Sequence, residues 1–236
     1  MSNFPIGLQP RCFALVPAAG IGARSGAAGP KQYVPLAGRP MMAHTLEALA
    51  QVAALEATLV VLAPEDDQFE AAIPEFQGGR AWLARVGGAS RAETVSAGLT
   101  ELMARGAQAH DWVLVHDAAR CLIRPEWVLR LIEACAEDEV GGLLALPLAD
   151  TLKQAEAGRV AATVDRRHKW AAQTPQMFRL GLLKPALMMA GDSVTDEASA
   201  VEALGHAPLL VESPMENFKV TWPADFALAE RLLKSR

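Results

Sequence analysis

A chain of 236 residues, 51% of them hydrophobic, carries enough apolar side chains for one sizeable α/β domain. Its net charge of -5 excludes a surface built for general nucleic-acid or membrane binding, since such affinity needs clustered positive charge. The three cysteines, Cys12, Cys121 and Cys135, have no C-x-x-C spacing and the five histidines no H-x-x-x-H or H-x-H pair, so a disulfide framework and a zinc motif are not expected and a reducing, cytoplasmic setting is.

The elements alternate along the chain. An apolar run from Cys12 to Val16 reads as a first buried strand. Arg11 followed by CFALV loosely imitates a secretory leader, but Pro17 cuts its apolar core short and no run reaches the roughly 18 apolar residues of a membrane span. A helix is predicted over Met41 to Gln51, then a strand over Thr58 to Leu62 and a helix over Glu65 to Phe76. A strand over Trp82 to Val86 precedes a helix over Arg91 to Met103, and a further buried strand covers Trp112 to Val115. A helix from about Glu126 to Glu137 leads to a strand over Gly142 to Leu146. Between Leu148 and Thr174 two alternating runs flank a turn near Glu156 to Arg159, as in a hairpin, which alone is marginally stable and needs support. Helices near Arg179 to Met189 and Asp196 to Leu204, a strand near Pro208 to Val211 and a closing helix from Pro223 to Lys234 complete the pattern. Near-continuous apolar strands such as TLVVLA predict a mostly parallel central sheet with helices on both faces.

Ligands of such sheets bind beyond the carboxyl ends of the strands, which selects Ala18 to Lys31, Gly87 to Thr94 and Asp117 to Arg124. The first of these is the most informative. Small residues let backbone N–H groups approach a polyanion, and Arg24 and Lys31 bring positive charge. A dinucleotide motif fails because Ser25 replaces the last glycine, because Pro30, Pro35 and Pro40 oppose a tightly following helix, and because no acidic residue closes a second strand about 20 residues on. The P-loop fails for want of Gly-Lys-Ser/Thr. What remains is a long loop suited to a nucleotide triphosphate. In VHDAAR, Asp117 ends a strand where it can bind a divalent cation or hydroxyl groups, and Arg120 can meet an anion. Ser90 reads equally as a helix cap and as part of a loop whose glycines admit a base or ribose. Taken alone, Lys219 reads as a surface lysine, and Asp150, Thr151, Asp165 and Arg166 as solvated groups on an exposed ribbon.

In order, PAAGIGARSGAAGPKQY, VHDAAR, DTLK, TVDR, QTPQMF, TDEASA and NFKVT span nearly the whole chain, which resembles the 2-C-methyl-D-erythritol 4-phosphate cytidylyltransferase family. The resemblance implies a single Rossmann-like α/β nucleotidyltransferase domain over residues 1–236, with a protruding β-arm at about 148–172 that exchanges contacts across a homodimer. It implies transfer of CMP from CTP to the methylerythritol phosphate, with magnesium, in non-mevalonate isoprenoid synthesis. It assigns Ala18, Ala19 and Gly20 to the nucleotide, Gly88 and Thr94 to base or ribose, and Arg24, Lys31 and Lys219 to the phosphates in the transition state. Asp117 and Arg120 would lie near the metal and polyol. Thr151 and Arg166 would reach the acceptor from the arm, and Thr174 and Thr195 would hold its phosphate. With no residue after Arg236, the family's fused form is not expected. This chain departs from the family in having Ala89 for an acidic residue of the base loop, Cys121 for proline, and Glu216 for a shorter aspartate. Rival readings are a cytidylyltransferase for ribitol 5-phosphate and a nucleotide-binding module without catalysis.

Overall fold

The computed structural model describes residues 9–20, 29–191 and 194–236. Its centre is a seven-stranded sheet in the order β11-β7-β10-β6-β1-β4-β5. The strands are β1 (Cys12–Pro17), β4 (Leu55–Val61), β5 (Ala81–Ala84), β6 (Trp112–Val115), β7 (Gly141–Pro147), β10 (Trp170–Arg179) and β11 (Leu209–Glu212). Neighbours are parallel except at β10, which runs antiparallel to both β6 and β7. The expected mostly parallel sheet is what forms.

Period-two alternation divides the core into two layers. Cys12, Ala14 and Val16 of β1 and Trp112 and Leu114 of β6 face one layer, shared with α1 (Met41–Ala50) and α4 (Pro125–Cys135). Phe13, Leu15, Val113 and Val115 face the other, filled by α3 (Arg91–Ala104), α5 (Leu180–Ala190) and α6 (Glu197–Ala203). A third cluster seats α7 (Pro223–Lys234) through Ala229 against Leu36, Met41, Leu122 and Val220. Leu36 belongs to a two-stranded turn of β2 (Pro35–Leu36) and β3 (Arg39–Pro40), which leads the chain into α1.

Two readings of the sequence need correction. The helix expected over Glu65 to Phe76 shrinks to the four residues of α2 (Phe69–Ala72), because Pro74 disfavours helical backbone at Ile73. The ten-residue β10 was hidden: its start fell in the expected hairpin and its end in the helix placed from Arg179. Pro175 argues against a central strand, and Gln173, Thr174 and Gln176 obscure its apolar alternation. A register shift between Ala172 and Gln176 accommodates the proline. The hairpin itself forms, from β8 (Leu152–Glu156) and β9 (Arg159–Val164), with Ala157 and Gly158 at positive φ in the turn. It is a separate two-stranded sheet, exposed along almost its whole length. The three cysteines are buried and unpaired, and burial pushes the Cys12 thiol up to about 11 and Cys121 and Cys135 to about 12. Among the described residues no helix is long and apolar enough to cross a membrane.

Candidate active site

A cavity of about 190 Å³ opens at the carboxyl ends of β1 and β6. Its floor is the backbone of Pro17, Ala18, Ala19 and Gly20, which leaves β1 with Ala18 N–H bonded to the Val61 carbonyl at 2.8 Å. Gln32, 5% exposed, donates to the Ala18 carbonyl at 2.9 Å and fixes this turn from below. The far wall is the Gly88 to Arg91 loop. Gly87 N–H bonds the Leu62 carbonyl at 2.8 Å, and a Cβ on Gly87 would lie 2.7 Å from that oxygen and clash with the Ala19 methyl. Only glycine permits the two loops to approach this closely. Ser90 caps α3: its hydroxyl accepts from Glu93 N–H at 3.1 Å, and the Glu93 carboxylate accepts from Ser90 N–H at 3.1 Å. Thr94 braces the same loop, its hydroxyl donating to the Ser90 carbonyl at 2.9 Å and accepting from Gly88 N–H at 3.2 Å.

Lys31 and Lys219, from opposite ends of the sequence, line the cavity together with Asp117. The Asp117 side chain is 9% exposed and meets Lys219 Nζ at 3.0 Å, Arg91 Nε at 3.0 Å and Arg120 Nε at 3.5 Å. Burial alone would raise its carboxyl, but Arg91, Lys219 and Arg120 outweigh that and hold it far below the usual carboxylate range. Its backbone is anchored too: Asp117 N–H donates to Thr174 Oγ1 at 3.0 Å, and that hydroxyl lies 3.0 Å from His116 Nδ1.

The sequence-derived candidates thus sort by depth. Ala18, Ala19, Gly20, Lys31, Gly88, Thr94, Asp117 and Lys219 line one cavity. Arg120 and Thr174 stand behind Asp117: Arg120 is 9% exposed and donates to the Asn217 carbonyl at 2.7 Å, and Thr174 is 4% exposed. Thr195 lines an adjoining cavity of about 300 Å³, bounded by Ser90, Arg91 and Glu197. Thr151 and Arg166 are exposed at the base of the hairpin. Arg24 lies outside the described residues. Gln32, Arg91 and Glu197 fall in stretches the sequence singled out, but none of the three was given a role from it. Glu197 looks like an ordinary acidic residue in a first helical turn, and only the fold brings it to Arg91.

Asp117 was the expected metal ligand, and the donor set does not suit that role. It is the one carboxylate on the cavity wall among the described residues, and its oxygens face three cations. No group of three or more His, Cys, Asp or Glu residues that could hold a metal occurs among those residues. The described residues offer a divalent ion too few oxygen ligands here to hold it by themselves.

Residues 12–235 match the family model for 2-C-methyl-D-erythritol 4-phosphate cytidylyltransferase. The enzyme of that name from Burkholderia cenocepacia (strain HI2424) is 52% identical over 231 residues, covering 96% of this chain and 97% of the relative. The bifunctional enzyme IspD/IspF of Albidiferax ferrireducens is 58% identical over 227 residues, and here the chain spans 54% of the relative's length. Among solved structures, a 4-diphosphocytidyl-2C-methyl-D-erythritol synthase superposes with a TM-score of 0.85 at 42% identity, covering 96% of this chain and 100% of that one. The Francisella tularensis 2-C-methyl-D-erythritol 4-phosphate cytidylyltransferase gives 0.80 at 30% identity, covering 94% and 99%. Sequence, fold and the cationic cavity agree: the chain belongs to the 2-C-methyl-D-erythritol 4-phosphate cytidylyltransferase family.

Proposed function

We propose that this protein transfers CMP from CTP to 2-C-methyl-D-erythritol 4-phosphate in non-mevalonate isoprenoid synthesis, releasing pyrophosphate. The observation that carries the reading within the family is the meeting of Lys31 and Lys219 across one cavity floored by the Ala18 to Gly20 backbone. Backbone N–H groups at close quarters and two ammonium groups suit a triphosphate.

The chemistry needs no general base. A phosphate monoester is already anionic at neutral pH, so an acceptor oxygen forms its bond to the α-phosphorus while the bond to the α–β bridging oxygen breaks and pyrophosphate takes the electron pair. The obstacle is the approach of two polyanions. Lys31, Lys219 and Arg24 offset charge at the α-phosphate and on the departing pyrophosphate. Asp117 orients Lys219 and presents the remaining edge of its carboxylate to acceptor hydroxyls. Arg120 and Thr174 act through Asp117, which revises their expected direct contact with substrate; Thr195 faces the acceptor phosphate from the adjoining cavity. Gly88 and Thr94 shape the loop against base and ribose, and Ala89 adds no polar side chain to it. Magnesium travels with the triphosphate as part of the substrate, since the described residues provide no ligand set for it.

Thr151 and Arg166 serve a second copy. The exposed β8–β9 ribbon is too small to be stable unsupported, and a homodimer in which each arm reaches the partner's cavity gives it that support. We place the enzyme in the cytoplasm, where buried, unpaired cysteines are usual. The test is pyrophosphate release from CTP or UTP with methylerythritol phosphate or ribitol 5-phosphate. CTP with methylerythritol phosphate is expected to give the highest kcat/KM. Equal or greater efficiency with ribitol 5-phosphate would reassign the acceptor, and nucleotide binding without release would make the protein a non-catalytic module.

A further inference from the structure

Arg91 joins two carboxylates from different parts of the chain. Its Nε donates to Asp117 Oδ1 at 3.0 Å, while Nη1 and Nη2 donate to Glu197 Oε1 and Oε2 at 2.6 and 3.0 Å. This is a two-pronged guanidinium–carboxylate fork with the third nitrogen left for a second acid. Glu197 has no exposed side-chain surface, and Arg91 keeps 29% of its own. Such pairs are poor sources of stability, because desolvation consumes most of the attraction and apolar side chains of similar volume often do as well.

The distribution of charge around Asp117 supplies another reason for the pair. Asp117 has two oxygens and three cationic neighbours: Oδ1 takes Arg91, and Oδ2 takes Lys219 and, at longer range, Arg120. Glu197 answers most of the Arg91 charge, so Arg91 holds Oδ1 with one nitrogen and leaves Oδ2 to Lys219. Without the fork the carboxylate is free to turn, and Lys219 loses the acceptor that keeps its ammonium at the cavity wall. We propose that Arg91, clamped by Glu197, is a positioning residue that fixes the Asp117 carboxylate and through it the Lys219 ammonium. The inference rests on Lys219 acting at the α-phosphate, as proposed above.

The test compares kcat, KM for CTP and the thermal midpoint of the full chain, by pyrophosphate release and circular dichroism, for wild type, Arg91→Lys and the double variant Arg91→Met/Glu197→Met. The double variant removes the Arg91 and Glu197 charges together; Asp117 keeps Lys219 and Arg120 on Oδ2, and only its Oδ1 loses a partner. It is expected to keep its midpoint within a few degrees while kcat falls about 10–100-fold, with KM for CTP changed by less than about threefold, as for a displaced catalytic group. Arg91→Lys keeps the charge, but one ammonium cannot fork Glu197 and still reach Asp117, so a similar fall in kcat is expected. Wild-type kcat in either folded variant, or a loss confined to KM, overturns the inference. So does failure of both variants to fold, which would make the pair a scaffold element. A wild-type chain that releases no pyrophosphate would overturn the transferase reading and the inference with it; an active wild type with unaffected variants overturns the inference alone.

Discussion

Lys31 Nζ donates to the carbonyl oxygen of Val220 at 3.1 Å, across 189 residues of sequence. Val220 N–H in turn donates to the Ala119 carbonyl at 2.9 Å, so the segment carrying Lys219 is stitched to the loop that carries Asp117. One hydrogen-bonded path thus brings both ammonium groups to the cavity. On the role proposed for Lys31, Lys31→Ala removes charge that offsets the α-phosphate in the transition state, and turnover at saturating substrates is expected to fall by about 10²–10³-fold, as for a lost oxyanion donor. Near-normal kcat in a pyrophosphate assay would remove Lys31 from the reaction centre.

Gly87 controls the gap between the Ala18–Gly20 and Gly88–Arg91 loops. A methyl group there meets the Ala19 methyl and the Leu62 carbonyl oxygen, both held by the ends of buried strands, so neither can step aside. Gly87→Ala is expected to cost about 1–3 kcal/mol of stability, the usual range for overpacking, and to raise KM for CTP by displacing the Gly88 loop. Gly158→Ala, in the exposed hairpin turn at φ 75°, is the control for backbone strain without crowding. Denaturant unfolding and nucleotide titration of both variants check this, and an unchanged CTP affinity in Gly87→Ala would separate the loop's spacing from binding.

Much of this was legible from the chain itself. Continuous apolar runs at β1, β4 and β6 announce parallel strands because both faces of the sheet are covered, and the small-residue loop after β1 announces a close backbone approach. The Ser90 cap was one of two equal readings of that loop, and the capping box with Glu93 bears it out. Burial depth was not readable. Arg120 and Thr174 carry groups that suit a ligand, yet both sit behind Asp117, because β10 inserts antiparallel beside β6 and brings Thr174 against the Asp117 backbone. The fork from Arg91 to Glu197 is similarly invisible, since its members are 106 residues apart and each has an ordinary local explanation at a helix start.

The arm can be assigned to one subunit or two by complementation. Arg166 is exposed in the loop between β9 and β10, so Arg166→Ala is expected to leave the thermal midpoint unchanged while acceptor KM rises. Lys31→Ala disables the cavity and leaves the arm intact. If each arm serves its neighbour, a dimer of the two variants contains one wholly wild-type site, and subunit exchange raises activity at low acceptor concentration above the sum of the parents. Mixtures that never exceed the sum of the parents, under conditions where exchange is verified, would mean that the arm folds back on its own chain.

His116 makes folding sensitive to mild acid. It is fully buried at the end of β6, and the Thr174 hydroxyl, which already accepts from Asp117 N–H, has its own proton to give to His116 Nδ1. That leaves Nε2 to carry the ring proton toward the Arg120 carbonyl at 3.4 Å. Burial, aided by the Arg120 charge and opposed by Asp117, lowers the imidazole to about 4. In the unfolded chain the same ring titrates near 6.5, so between those values the unfolded state binds a proton that the folded state refuses. Stability must therefore fall as pH drops from about 6.5 to about 4, with a slope from this residue of at most about 1.4 kcal/mol per pH unit. Above that window the contribution is level. His116→Gln retains a carbonyl that can accept from Thr174 and removes the titration. The variant is expected to be less stable at pH 7.5 and to lose that deficit progressively as pH falls toward 4.5. Unfolding free energies of the two proteins measured in parallel across this range decide the matter, and curves that stay a constant distance apart would show that His116 is not the acid-sensitive group.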